Sequence, residues 1–218
     1  MPRMTRRGDF FQAGADHGTA LVLVLLATVL LSAVGGALTI SSNTEAAIAA
    51  SFRADDELFY AAEAGVSRAL TDVRAAARWD DVLSGALVSS FLDPSQRPTL
   101  PAGGTLDVRA LTRQLQATTN AQGGGPNTPR WRIFASGPLR DIAGPGAVDS
   151  SAYLVVWVAD DIAETDGNPA ADTNGVLMIR GEAVGSGGRT RTLDVTVARA
   201  GAPPGQAGLR VMSWREVR

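Results

Sequence analysis

The chain has 218 residues with a net charge of −2, and its 22 acidic side chains face 20 arginines with no lysine. It has no cysteine, which excludes disulfides and thiolate metal sites. The arginines are spread along the chain rather than clustered, so there is no electrostatic footprint for nucleic acid.

Residues 1–18 form a polar leader in which Arg3, Arg6 and Arg7 outweigh Asp9 and Asp16. Basic residues beside an apolar span favour the cytoplasmic side, which puts the C-terminal bulk outside. Residues 19–40, Thr19 to Ile40, carry no charge and are about as long as a helix that crosses a bilayer. A small-residue stretch, Ser32 to Ala37, fits a signal-peptidase site, yet the helical pattern does not stop there. From Ser41 to Ala77 the chain has no proline, and Ile48, Phe52, Phe59, Ala62, Val66, Ala69 and Val73 make one apolar stripe of an amphipathic helix. One rod from Thr19 to Ala77 is about 90 Å long at 1.5 Å per residue. Within it, Gly35-Gly36 permits either a bend or close packing between helices.

About 140 residues follow, room for one globular domain of ordinary size, 78–218. Residues 78–100 read as a short helix or irregular cover, and residues 105–115 as a first strand on the alternation of Leu106, Val108 and Ala110. Residues 121–129, with Gly123-Gly124-Gly125-Pro126, read as a flexible loop. Strands are expected around Trp131–Ala135, over Tyr153–Val158, over 176–183 and 192–198 as a hairpin about Gly185-Ser186-Gly187-Gly188, and over 209–217. Arg189 and Arg191 solvate that turn or mark an edge strand. Phe59, Val66 and Val73 should seal the inner face of the sheet, and Glu63 should pair with an arginine such as Arg68 or one on the sheet. Trp79, Trp131, Trp157 and Trp214 are expected as core or sheet anchors. The expected class is α+β: a long N-terminal hydrophobic and amphipathic helix packed on an antiparallel sheet.

One loop carries candidate chemistry. Asp160, Asp161, Glu164, Asp166, Asn168, Asp172 and Asn174 crowd together with Gly167 and Gly175. Calcium takes many oxygen ligands of this kind, with Asp161, Asp166, Asn168 and Asp172 the first choices. The same residues are common in solvated turns, and the spacing is not that of an EF-hand. No other cofactor is expected, nor is an enzyme. The one histidine, His17, lies in the leader, and no glycine-rich phosphate loop joins a strand to a helix.

An apolar half-helix continuous with an amphipathic half, after a basic leader ending in glycine, resembles the type IV pilin-like class. Within it, Gly18-Thr19-Ala20-Leu21-Val22-Leu23-Val24-Leu25-Leu26 and Phe59-Tyr60-Ala61-Ala62-Glu63-Ala64-Gly65 resemble the N-terminal domain of the minor pilins called PilX. Segments about Trp131, Trp157 and Trp214 resemble strands of long chains of that type. The resemblance implies that a prepilin peptidase cuts between Gly18 and Thr19 and that the new terminus is methylated. Major pilins have a glutamate five residues after the cut, where this chain has Leu23. A place at the tip or in the initiating complex of a type IV pilus or secretion pseudopilus is therefore implied, rather than in the shaft. Implied partners are other minor pilins or pseudopilins and the inner-membrane assembly platform; the implied location is the inner membrane, single-pass, before assembly at the cell surface. The alternative is a signal-anchored extracytoplasmic binding domain that never polymerises.

Overall fold

The computed structural model describes residues 16–101, 103–123, 125–143, 150–201 and 208–217; residues 1–15 of the expected leader lie outside them. The chain divides into two compact units, Met1–Ser51 and Phe52–Arg218.

The described part of the first unit is helical throughout and belongs to α1 (Asp16–Ala75), which continues through Gly35 and Gly36 without interruption. Its large apolar side chains from Leu21 to Ile40 are all exposed, between 50% and 71%. One 18-residue window has a mean hydropathy of 2.6, so the helix is long and apolar enough for a single membrane span. The few hydroxyls are satisfied within the helix. Thr28 donates to the Val24 carbonyl at 2.7 Å, Ser32 to Thr28 at 2.8 Å and Thr39 to Gly35 at 2.9 Å, a device that leaves no side-chain donor seeking water.

In the second unit α1 changes role. Leu58, Ala61, Ala62, Val66, Ala69 and Val73 are all buried at the three- and four-residue spacing of one helix face. Val66 and Val73 lie on this inner wall as expected; Phe59 packs at its margin, edge-on to Tyr60. Most of the stripe is alanine or glycine because the helix approaches the sheet closely. A Cβ at Gly65 would lie 3.3 Å from Val156 Cγ2.

The sheet is an antiparallel meander of β1 (Arg132–Pro138), β2 (Tyr153–Asp160), β3 (Val176–Val184), β4 (Thr190–Ala200) and β5 (Gly208–Val217), in that spatial order. The α+β class is thus as expected: a long apolar helix against a five-stranded antiparallel sheet. One face, with Leu154, Val156, Val158, Leu177, Ile179, Leu193, Val195 and Val197, meets α1 and the short helix α2 (Trp79–Ser84). The other, with Tyr153, Val155 and Trp157, meets α3 (Val108–Gln122). Coverage of both faces explains why β2 is buried at every position and reads as an unbroken apolar run. A short helix, α4 (Leu139–Ala143), follows β1.

Three expectations are corrected. Residues 105–115 do not form a strand: α3 begins at Val108, capped by Asp107, whose Oδ1 accepts the Ala110 amide N–H at 2.8 Å. The spacing of Val108, Leu111 and Leu115 is helical, and the cap turns that pattern into a helix start. The apparent alternation involved only three residues. Along β1 a bulge between Ile133 and Ala135 inserts Phe134, so Phe134 and Ala135 are both buried. Arg189 and Arg191 do not mark an edge, since β4 lies between β3 and β5. Arg191 pairs with Asp55 of α1 at 2.9 Å and with Glu216 at 3.5 Å. Arg68 pairs with Asp72 rather than Glu63. The turn itself is as expected: Ser186–Gly188 joins β3 to β4, with Gly187 and Gly188 at φ +69° and +75°, where side chains are disfavoured.

The outer side of β1 is covered by the segment after α2. The Ser89 amide donates to the Phe134 carbonyl at 2.9 Å, Asp93 N–H to Ser136 at 2.8 Å and Ser136 N–H to Phe91 at 3.0 Å.

Candidate functional site

Gly18 and Thr19 lie near the start of α1 and are exposed. From Thr19 the chain runs to Thr44 before its first charge, Glu45, and Leu23 at the fifth of these positions is 61% exposed. The chemistry of this element is apolar surface: over its first half the helix exposes its large apolar side chains and, among the described residues, packs them against nothing.

The polar candidate is at the end of β2. The last residue of that strand, Asp160, and the next, Asp161, are buried, and the turn that follows returns Glu164 to them, itself only 3% exposed. One carboxylate oxygen from each lies within 4.8 Å of the others. A fourth side chain arrives from the loop before β1: Asn127, also 3% exposed, donates through Nδ2 to Asp160 Oδ2 at 2.5 Å and to the Asp161 carbonyl at 3.1 Å. Its amide N–H is held by the Ile162 carbonyl at 3.4 Å, and Gly125 lies so close to that carbonyl that a Cβ would overlap it.

Donors surround most of these oxygens. Asp161 N–H donates to Asp160 Oδ1 at 3.0 Å, Ala163 N–H to Asp161 Oδ2 at 2.9 Å and Asn174 Nδ2 to Asp161 Oδ1 at 2.6 Å. The Thr173 amide and hydroxyl both donate to Glu164 Oε1. Two buried oxygens receive nothing from any N–H or hydroxyl among the described residues: Glu164 Oε2 and Asn127 Oδ1. The Asp160 carboxyl is within hydrogen-bonding reach of Glu164, but donates only if protonated.

Burial, and next the neighbouring Glu164, push the Asp160 carboxyl well above the usual carboxylate range. Burial also opposes ionisation of Glu164, but hydrogen bonds from Thr173, from the Asp160 carboxyl and from the Asn174 amide together bring it below its ordinary value. Two like charges 4 Å apart repel by about 4 kcal/mol at an effective dielectric constant near 20. None of the ion pairs among the described residues involves Asp160, Asp161 or Glu164, whose partners among the described residues are hydrogen-bond donors.

Of the four ligands expected from sequence, Asp161 is in this cluster. Asp166 and Asn168 are exposed and bond each other's turn, Asn168 N–H to Asp166 Oδ1 at 2.8 Å. Asp172 closes the end of the loop, accepting Gly175 N–H at 2.7 Å and Val176 N–H at 3.2 Å, while its own N–H goes to Asp80 of α2 at 2.9 Å. Those three serve as turn and anchor residues. The spacing Asp160-Asp161-x-x-Glu164 was visible in the loop; Asn127 was not, being 33 residues from its partner.

A cavity of about 490 Å3 lies beside the cluster, lined in part by Thr119, Trp131, Ile162, Arg180 and Arg215. Its charges are already matched: Arg180 makes a two-pronged pair with Asp194 at 2.5 and 2.6 Å and lies over the Trp131 ring, and Arg215 reaches Asp194 at 3.1 Å. The architecture, an N-terminal apolar helix whose second half packs on an antiparallel sheet, is pilin-like. Compared with protein-family models, curated proteins and solved structures, the chain matches none.

Proposed function

We propose that the chain is a minor pilin-like structural subunit that initiates or caps a type IV pilus or secretion pseudopilus. The observation that supports this most is the double use of α1. Its first half presents only uncharged, exposed side chains from Thr19 to Ile40, while its second half is the inner wall of a folded head. In the inner membrane the apolar half is dissolved in lipid; in a filament the same surface packs against like helices. Leu23 in place of an acidic residue removes the carboxylate that would pair with a neighbouring amino terminus, since a buried charge persists only with a partner. This favours the tip over the shaft.

On this proposal the partners are other minor pilins or pseudopilins, a prepilin peptidase and the assembly platform, and the role is mechanical rather than catalytic. Mass spectrometry of the protein from its native membrane tests it. The expected amino terminus is a methylated Thr19. A chain cut near Ala37, or one with its leader intact, would instead support a signal-anchored domain that does not polymerise.

A further inference from the structure

The two edges of the sheet are treated differently. On β1, residues 89–93 supply backbone hydrogen bonds to Phe134 and Ser136. At the other edge β5 pairs with β4 alone, and no further backbone group among the described residues meets residues 209–215. An edge of this kind leaves a row of N–H and C=O groups that can template another strand. Its side chains are open as well. Val211, Met212 and Trp214 are 44%, 53% and 40% exposed, and Arg210 is exposed without an acidic partner among the described residues.

The register fixes the side to which each belongs, because directly paired residues share a face. Val211 and Trp214 stand opposite Val197 and Val195, on the α1 side, whereas Arg210 and Arg215 stand opposite Ala198 and Asp194, on the other. Arg215 shares Asp194 with Arg180, which already binds both of its carboxylate oxygens. The edge is therefore apolar on one face and cationic on the other.

We propose that β5 accepts a further strand from a partner protein, apolar on the side of Val211 and Trp214 and acidic on the side of Arg210 and Arg215. Main-chain hydrogen bonds supply the hold, and the two faces supply the selection. A second copy of this chain fits badly. The two-fold register that sets Val211 against the copy's Trp214 also sets Arg210 against the copy's Arg215, and like charges directly opposite are destabilising. The surface belongs wholly to the second unit, so it does not depend on the helix entering a filament.

The test uses the full chain in detergent and a labelled peptide as long as β5 in which valine and glutamate alternate, with a valine–lysine peptide as control. Fluorescence anisotropy should show saturable binding of the acidic peptide alone, and hydrogen exchange should slow at amides between Leu209 and Arg215. Arg210→Glu should weaken that binding about tenfold, as a like charge across an interface does, while Arg109→Glu on α3 should leave it unchanged. Absence of binding up to about 1 mM acidic peptide, the weak end of specific recognition, overturns the proposal. Equal binding of the basic peptide, or binding that leaves those amides exchanging freely, overturns it too. Slowed exchange that appears without peptide and grows with chain concentration overturns it in favour of a second copy.

Discussion

Val66 of α1 occupies the space that a side chain at Gly181 of β3 would need: a Cβ built on Gly181 would lie 2.5 Å from Val66 Cγ2 and 3.3 Å from the Ala62 carbonyl. Gly181 has no unusual φ, so the glycine is required by the approach of helix to sheet and not by the backbone. Gly181→Ala should therefore destabilise the head by about 1–3 kcal/mol, as overpacking of a close-packed core does. Chemical denaturation of the second unit would measure it, and Val66→Ala in the same chain should recover part of the loss.

The outer helix is fastened by two indoles. Trp157 Nε1 donates to Thr112 Oγ1 and Trp131 Nε1 to Thr119 Oγ1, each at 2.8 Å. Thr112→Val keeps the shape of the side chain but removes the acceptor, leaving the N–H of a buried tryptophan unpaired. The expected cost is about 1–3 kcal/mol, and a shift in tryptophan emission should accompany it. An unchanged melting temperature would mean that the Trp157–Thr112 bond adds nothing to the hold that α3 keeps through Val108, Leu115 and the Trp131–Thr119 bond.

Glu182 gives the head a pH dependence. Burial raises its carboxyl above the ordinary value of 4.5, with Arg180 acting the other way. In the window above 4.5 the folded state then holds more protons than the unfolded one, so this group's contribution to stability falls as pH rises. Glu182→Gln should match the unaltered chain near pH 4 and be more stable at pH 7. Melting curves of both proteins across that range check the sign; a gap that narrows with rising pH would refute it.

The uncharged run admits a direct test of its medium. Leu30→Asp places a carboxylate near the centre of residues 19–40, and an aspartate at the middle of a spanning helix costs about 2.5–3.5 kcal/mol in insertion. The membrane-integrated fraction, read by alkaline extraction, should fall steeply, while Leu30→Ala should leave the chain inserted.

Long, strongly periodic elements were legible in the sequence. The uncharged run, the stripe of Val66, Ala69 and Val73, the β-rich core of β2 and the glycine turn between β3 and β4 each have a local cause, and each is present. Residues 105–115 misled because Leu106, Val108 and Ala110 alternate by chance just before a helix whose own signals, Asp107 and the spacing of Val108, Leu111 and Leu115, start one step later. The acidic loop was visible as a composition, but which acids meet depends on the chain reversal after Asp161, and Asn127 enters from another loop altogether. Leu58 is buried beside the less buried Phe59, and Gly185, where a Cβ would lie 2.8 Å from Leu58 Cδ2, marks where Leu58 docks.

Because Leu58, Val66 and Val73 belong to α1 and yet complete the core of the second unit, the position of a break along α1 decides what survives it. A break upstream of Phe52 sheds the oily segment and leaves the core residues of the head together. A break a few turns later strips the sheet of its inner wall and bares Val156, Ile179 and Val195 to water. Proteolysis of folded protein should accordingly yield a durable fragment starting ahead of Leu58, whereas fragments that begin within the stripe would be degraded or aggregate.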